Sequence, residues 1–177
     1  MKILAFAASN NLESINKKLA TYACELFRDT QQNCEIEVLD LNDFEMPIYR
    51  PDREQINGIP QQAQDFYKKI GEADKLIISF AEYNGSYTAA FKNIFDWTSR
   101  IDQKLFQEKK TLVMATSPGR RGGIGVLKTI ENAAPHFGMI ISGVFSLPSF
   151  QENFDLEKNE IKNGSLRDQL IEQVSQL

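Results

Sequence analysis

The run Leu76-Ile77-Ile78-Ser79-Phe80 is apolar at nearly every position, the pattern of a central parallel strand covered on both faces. It breaks at Ala81-Glu82-Tyr83-Asn84-Gly85-Ser86, where Asn-Gly marks a turn and Ser86 is placed to cap a following helix. The pattern then changes to helical period. Tyr87, Ala90, Phe91, Ile94, Phe95 and Trp97 predict a helix from Tyr87 to about Arg100 whose apolar arc spreads over roughly 160°, wider than one sheet face requires. Such a helix is either deeply buried or packed on its own sheet and on a partner.

Around this centre the chain alternates. Lys2–Ala7 reads as a first strand, and a helix begins near Ser14 with Ile15, Leu19, Tyr22, Ala23 and Leu26 on one stripe. Cys34–Leu41 alternates as a second strand, Gln61–Ile70 forms a helix, and Thr111–Thr116 is an apolar fourth strand. A helix from about Ile124 to Ala134, a strand from Met139 to Leu147, and a last helix bearing Leu166, Leu170, Ile171 and Val174 follow. Between the second strand and Gln61, the polar stretch Asn42–Pro60 reads as an ordered loop, in which Tyr49 either covers a ligand or anchors the loop to the core. Five strands alternating with five helices give an α/β chain with a parallel sheet.

Composition narrows the class. A chain of 177 residues with 42% hydrophobic content suits one domain, residues 1–177, with a sizeable core. The net charge of −4 argues against a nucleic-acid or anionic-membrane surface, which depends on clustered basic residues. No apolar run approaches the length needed to cross a bilayer, and Ile3–Ala8 is too short for a signal peptide, so a cytoplasmic protein is expected. Cys24 and Cys34 match no metal or redox spacing, and His136 is the only histidine, so no metal site is expected. Neither a nucleophile elbow nor a Gly-x-Gly-x-x-Gly after the first strand is present.

The chemistry is expected at the carboxyl ends of the strands, where open α/β sheets place their ligands. Ser9, Asn11, Ser14 and Asn16 converge on a helix N-terminus, whose unpaired N–H groups and partial positive charge suit a phosphate; ordinary capping explains the same residues. The turn Ser117-Pro118-Gly119-Arg120-Arg121-Gly122-Gly123 lies beside the Glu82–Asn84 turn at the same sheet edge. Its glycines permit close approach to a ligand, or serve a tight turn needing positive φ.

Glu82-Tyr83-Asn84-Gly85-Ser86, with Lys92-Asn93, Asp96-Trp97 and Ser99-Arg100 behind it, resembles the signature of the NADPH-dependent FMN reductases, a flavodoxin-like group that includes azo, quinone and chromate reductases. Ala81 stands where that family usually has proline. In the first loop the family pattern Gly-Ser-x-Arg-x-x-Ser-x-Asn is met by Ala8-Ser9-Asn10-Asn11-Leu12-Glu13-Ser14-Ile15-Asn16, with Ala8 for glycine and Asn11 for arginine. The resemblance implies a flavodoxin-like three-layer sandwich with a five-stranded parallel sheet in the order 2-1-3-4-5. It also implies FMN as cofactor, NADPH or NADH as co-substrate, a small-molecule electron acceptor, and a homodimer or homotetramer through the helix 87–100. The flavin would be held by Ser9, Asn11, Ser14, Ile15 and Asn16 at its phosphate. Glu82, Tyr83, Asn84 and Gly85 would lie along its ring, and Ser117, Gly119, Arg120, Gly122 and Gly123 at the other edge. No side chain is expected to be catalytic, because the flavin N5 carries the hydride. A flavodoxin-type electron carrier and a flavin-free interaction domain are the competing readings.

Overall fold

The computed structural model describes every residue except Gln32. Five strands, β1 (Lys2–Ala8), β2 (Glu35–Leu39), β3 (Lys75–Phe80), β4 (Lys109–Thr116) and β5 (Met139–Leu147), pair in parallel in the order β2-β1-β3-β4-β5. Alternate residues of each strand enter different cores. Leu4, Phe6, Leu76, Ile78, Phe80 and Val113 meet α3 (Gln61–Glu72), α4 (Ala89–Thr98) and α5 (Ile124–Ala133). Ile3, Ala5, Ile77, Leu112 and Met114 meet α1 (Ile15–Thr30) and α7 (Gly164–Ser175) on the opposite face. This is the expected flavodoxin-like sandwich, with β3 central and its residues Leu76–Phe80 fully buried.

Several local expectations are corrected. Asn42–Pro60 is not all loop: a 3₁₀ turn covers Leu41–Phe44, and a short helix α2 (Pro51–Asn57) starts with Pro51 in its first turn and ends at Gly58 with φ 73°. Proline suits that first turn because its missing N–H would have no partner there. A four-residue helix α6 (Phe150–Asn153) and a two-stranded hairpin, β6 (Phe154–Asp155) with β7 (Glu160–Ile161), also escaped the pattern, being too short to show a period. The second strand begins at Glu35, one residue after Cys34. Cys24 and Cys34 are free thiols, and burial pushes that of Cys24 up to about 12.

The helix after β3 starts at Ala89, two residues later than expected, because Thr88 and not Ser86 caps it. The Thr88 Oγ1 accepts from the Phe91 amide at 3.2 Å and donates to the Ala8 carbonyl at 3.1 Å, so the cap is tied to the end of β1. The wide arc of α4 is covered by its own chain. Phe91, Ile94, Phe95 and Trp97 are buried, the Trp97 indole donates to the Pro47 carbonyl at 2.7 Å, and the Tyr49 ring stands edge-on to Trp97 with centroids 5.0 Å apart. Tyr49 therefore anchors its segment to the core. The width of the stripe reflects burial and does not argue for a partner, so the expected oligomer rests on the family resemblance alone.

One buried side chain fastens the functional edge of the sheet. Asn16, in the first turn of α1, accepts from the Thr116 amide at 3.0 Å, donates to the Thr116 carbonyl at 3.1 Å, and accepts from the Ser79 hydroxyl at 2.8 Å. All three residues are buried. Asn16→Ala leaves those three buried groups without partners, at about 1–3 kcal/mol each and less than additively. The variant is expected to melt roughly 8–15 °C lower by calorimetry, given about 2–4 °C per kcal/mol at this size; an unchanged melting temperature would contradict the clamp.

Candidate functional site

Three turns meet at the carboxyl ends of β1, β3 and β4. In the first, Ser9 and Ser14 are buried while Asn11, Leu12 and Glu13 are exposed. The oxygens of this loop accept its own amides: Ser9 Oγ from Asn11 at 3.2 Å, Asn11 Oδ1 from Glu13 at 2.9 Å, and Ser14 Oγ from Lys17 at 3.2 Å as the cap of α1. Acceptors are thus spent locally. What is left without a bond among the described residues are donors: two hydroxyl hydrogens, the Asn11 side-chain amide nitrogen, and the first backbone amides of α1 at Ile15 and Asn16. A helix end presenting donors in this way is suited to a phosphate or another anion. Lys17, the nearest cation in sequence, is committed to Asp40 at 2.6 Å.

The second turn is a tight hairpin. Tyr83 and Ser86 exchange backbone bonds at 3.0 and 3.2 Å, and Asn84 (φ 53°) and Gly85 (φ 80°) occupy the two left-handed positions that Asn-Gly favours. Tyr83 is half exposed. Glu82 turns the other way, accepting from the Val126 amide at 2.8 Å in the first turn of α5. In the third turn, Gly122 (φ 56°) and Gly123 (φ 79°) are glycine for internal reasons. A Cβ at Gly122 would collide with Ser146 Oγ, and one at Gly123 would sit 2.7 Å from the Ala115 Cβ. The close packing of β4 and β5 therefore accounts for glycine at both positions. Backbone bonds from Ser149 to Gly119 and from Phe150 to Ser117 hold this turn against the segment after β5.

A cleft of about 300 Å³ opens between the turns. Of the residues expected at the site, Ser9, Asn11, Ser14, Ile15, Asn16, Glu82, Tyr83 and Ser117 line it. Asn84, Gly85, Gly119, Arg120, Gly122 and Gly123 do not, and Arg120 is exposed. The Asn16 side chain spends both acceptor sites of Oδ1 and one Nδ2 hydrogen on its clamp. Sequence reasoning missed Glu13, Ala81, Thr116, Pro118 and Gln151, which also line the cleft. Gln151 arrives from the short α6, which no periodicity announced. The charged residues of the lining are Glu13 and Glu82, with no lysine or arginine among the lining residues.

Comparison with known proteins agrees with this geometry. The chain is 29% identical over 169 residues to an NADPH:quinone oxidoreductase of Arabidopsis thaliana, covering 90% of this chain and 81% of that one. In structure it is similar to the flavoenzyme NAD(P)H:(acceptor) oxidoreductase FerB of Paracoccus denitrificans, with a TM-score of 0.75, 23% identity, and 98% and 93% of the two chains covered. It is similar also to an FMN-dependent NADH-azoreductase of Bacillus anthracis in complex with FMN, with a TM-score of 0.70, 14% identity, and 99% and 98% covered. These two likenesses establish the shared fold. The family described as NADPH-dependent FMN reductase matches residues 1–152, and together with the sheet order and the cleft at its carboxyl edge this places the chain in that family.

Proposed function

We propose that this chain is an FMN-dependent NAD(P)H oxidoreductase that takes electrons from NADPH and passes them to small acceptors such as quinones, azo compounds or free flavin. The observation that carries the reading is that the α1 N-terminus, with donors unused within the protein, lines one cleft together with Tyr83 and Ser117. In the proposal Ser9, Asn11 and Ser14 bind the FMN phosphate with their side chains, and Ile15 and Asn16 do so with their amides. The Tyr83 turn and Ser117-Pro118 flank the ring. Bound FMN supplies the redox chemistry, accepting and releasing a hydride at N5.

The protein's own part is positioning. Donors fixed on a helix end and on clamped strand ends need little reorganisation to hold an anion, and the half-exposed Tyr83 leaves the cleft open for a nucleotide and an acceptor to use in turn. No carboxylate dyad or histidine is required by this chemistry. No helix among the described residues is long and apolar enough to cross a membrane. Action as one FMN-binding domain in the cytoplasm is part of the proposal.

Purified protein reconstituted with FMN and desalted is expected to stay yellow and to bleach when NADPH is added without oxygen. Colourless protein, or retention of FAD in preference to FMN, would refute the reading.

A phosphate monoester carries nearly two negative charges at neutral pH, yet the lining meets it with neutral donors and the Glu13 carboxylate. A charge-assisted hydrogen bond contributes about 1.5–3 kcal/mol against about 1 for a neutral one. Asn11→Arg is therefore expected to tighten FMN roughly three- to thirtyfold, with the gain shrinking as salt rises. Glu13→Gln should act in the same direction and more weakly, and Ser14→Ala should weaken binding. Fluorescence titration at low and high salt checks all three; unchanged binding by the arginine variant would mean that the phosphate lies elsewhere.

A further inference from the structure

We propose that Glu82 is a positioning residue that locks the Tyr83 turn to the start of α5, an inference that rests on the flavin site described above. Helix α5 begins without a side-chain cap: Gly123, in its capping position, is left-handed and has no side chain to offer. The Val126 amide, one of the donors that an α-helix leaves unpaired, takes its bond from Glu82 Oε2 at 2.8 Å, across 44 residues of sequence. A carboxylate at that end of a helix is favoured by the helix dipole as well as by the hydrogen bond. The chain leaves room for it. A Cβ at Gly125 would stand 2.7 Å from Oε2 and 3.1 Å from Cδ of Glu82, so glycine inside a helix, normally a cost, is here what admits the carboxylate.

The lock matters to the cleft because of what it joins. Tyr83, Asn84, Gly85 and Ser86 are all exposed, and the hairpin they form is closed mainly on itself. The Glu82 side chain links it to the first turn of α5. In the proposal this bond holds the turn that flanks one edge of the ring to the helix that follows the turn at the other edge, and so helps to fix the width of the ring slot. The same contact holds the Glu82 carboxylate on the α5 amide. It therefore occupies that helix end, and the α1 N-terminus is left as the anion site of the cleft.

Two substitutions and their combination test this. Glu82→Ala is expected to raise the FMN dissociation constant about tenfold and to speed hydrogen exchange at the Val126 amide in the apo protein at least as much. Glu82→Gln keeps an oxygen that can accept from Val126, and should restore both to within about threefold of the wild type. Gly125→Ala, which drives a methyl into the carboxylate, should reproduce the Glu82→Ala defects although the glutamate is present. Added to Glu82→Ala it should cause no further loss, because the three atoms nearest to the added methyl are all carboxylate atoms of Glu82. Wild-type FMN affinity in Glu82→Ala, while Ser14→Ala weakens FMN, would overturn the positioning role and leave the flavin site standing. Additive losses in the double variant would overturn the lock. If the wild-type protein bound no FMN at all, the flavin reading would fall and the positioning role with it, while unchanged Val126 exchange in Glu82→Ala would separately refute the lock itself.

Discussion

Everything at the functional edge depends on how α1 is seated over the ends of β3 and β4. Strand ladders run out there, and Thr116 is left with a buried amide and a buried carbonyl that need partners. Asn16 supplies both from one side chain, because a primary amide carries a donor and an acceptor in one plane, and it takes the Ser79 hydroxyl as well. A buried polar network is stabilising when its members are paired, and each of these three residues is. It also pins the first turn of α1, whose residues Ile15 and Asn16 line the cleft, to two strands.

The electrostatics of that cleft are unusual for the dianion proposed to bind there. Its charged lining residues are Glu13 and Glu82, and Lys17 is drawn off to Asp40. Attraction therefore comes from oriented dipoles, the helix end and the hydroxyl and amide donors, and not from a fixed charge. Such an arrangement specifies where an anion sits better than how tightly it is held. Glu82 would add to the repulsion were its carboxylate not turned onto the α5 amide.

Two features show how the same residues answer to different forces in different places. The glycines of the Ser117–Gly123 turn and the one in the Tyr83 hairpin all have the freedom a ligand-binding turn needs. Gly85 has open space around it, whereas Gly122 and Gly123 are packed against Ser146 and Ala115. Likewise the apolar arc of α4 has the width of an interface, but Pro47, Tyr49 and the neighbouring helices cover it. The segment that covers it had the composition of a loop because its cohesion is tertiary: Asn93 accepts from the Tyr49 amide and donates to the Met46 carbonyl, and the Tyr49 hydroxyl donates to Glu54.

What the sequence determined by itself is what short-range periodicity and turn chemistry can carry. The five strands, the turn at Asn84-Gly85, the start of a helix at Ser14 and the edge of the sheet where the cleft opens were all legible, since each is encoded within some ten neighbouring residues, whereas the strand order came with the family resemblance and is set by pairing between distant segments. Two-residue strands, the four-residue α6 that brings Gln151 to the cleft, and the choice of Thr88 over Ser86 as a cap were not, because nothing so short has a period and the choice was made by Ala8, far off in the chain. Only the folded chain could decide which of the motif residues face the cleft. Asn16, Gly122 and Gly123 spend their side chains, or their lack of one, on the protein, while Ser9, Asn11 and Ser14 line the cleft and keep donors unused within the protein. That division follows from where hydrogen-bond partners and neighbouring backbone happen to lie at long sequence separation, and no local pattern records it.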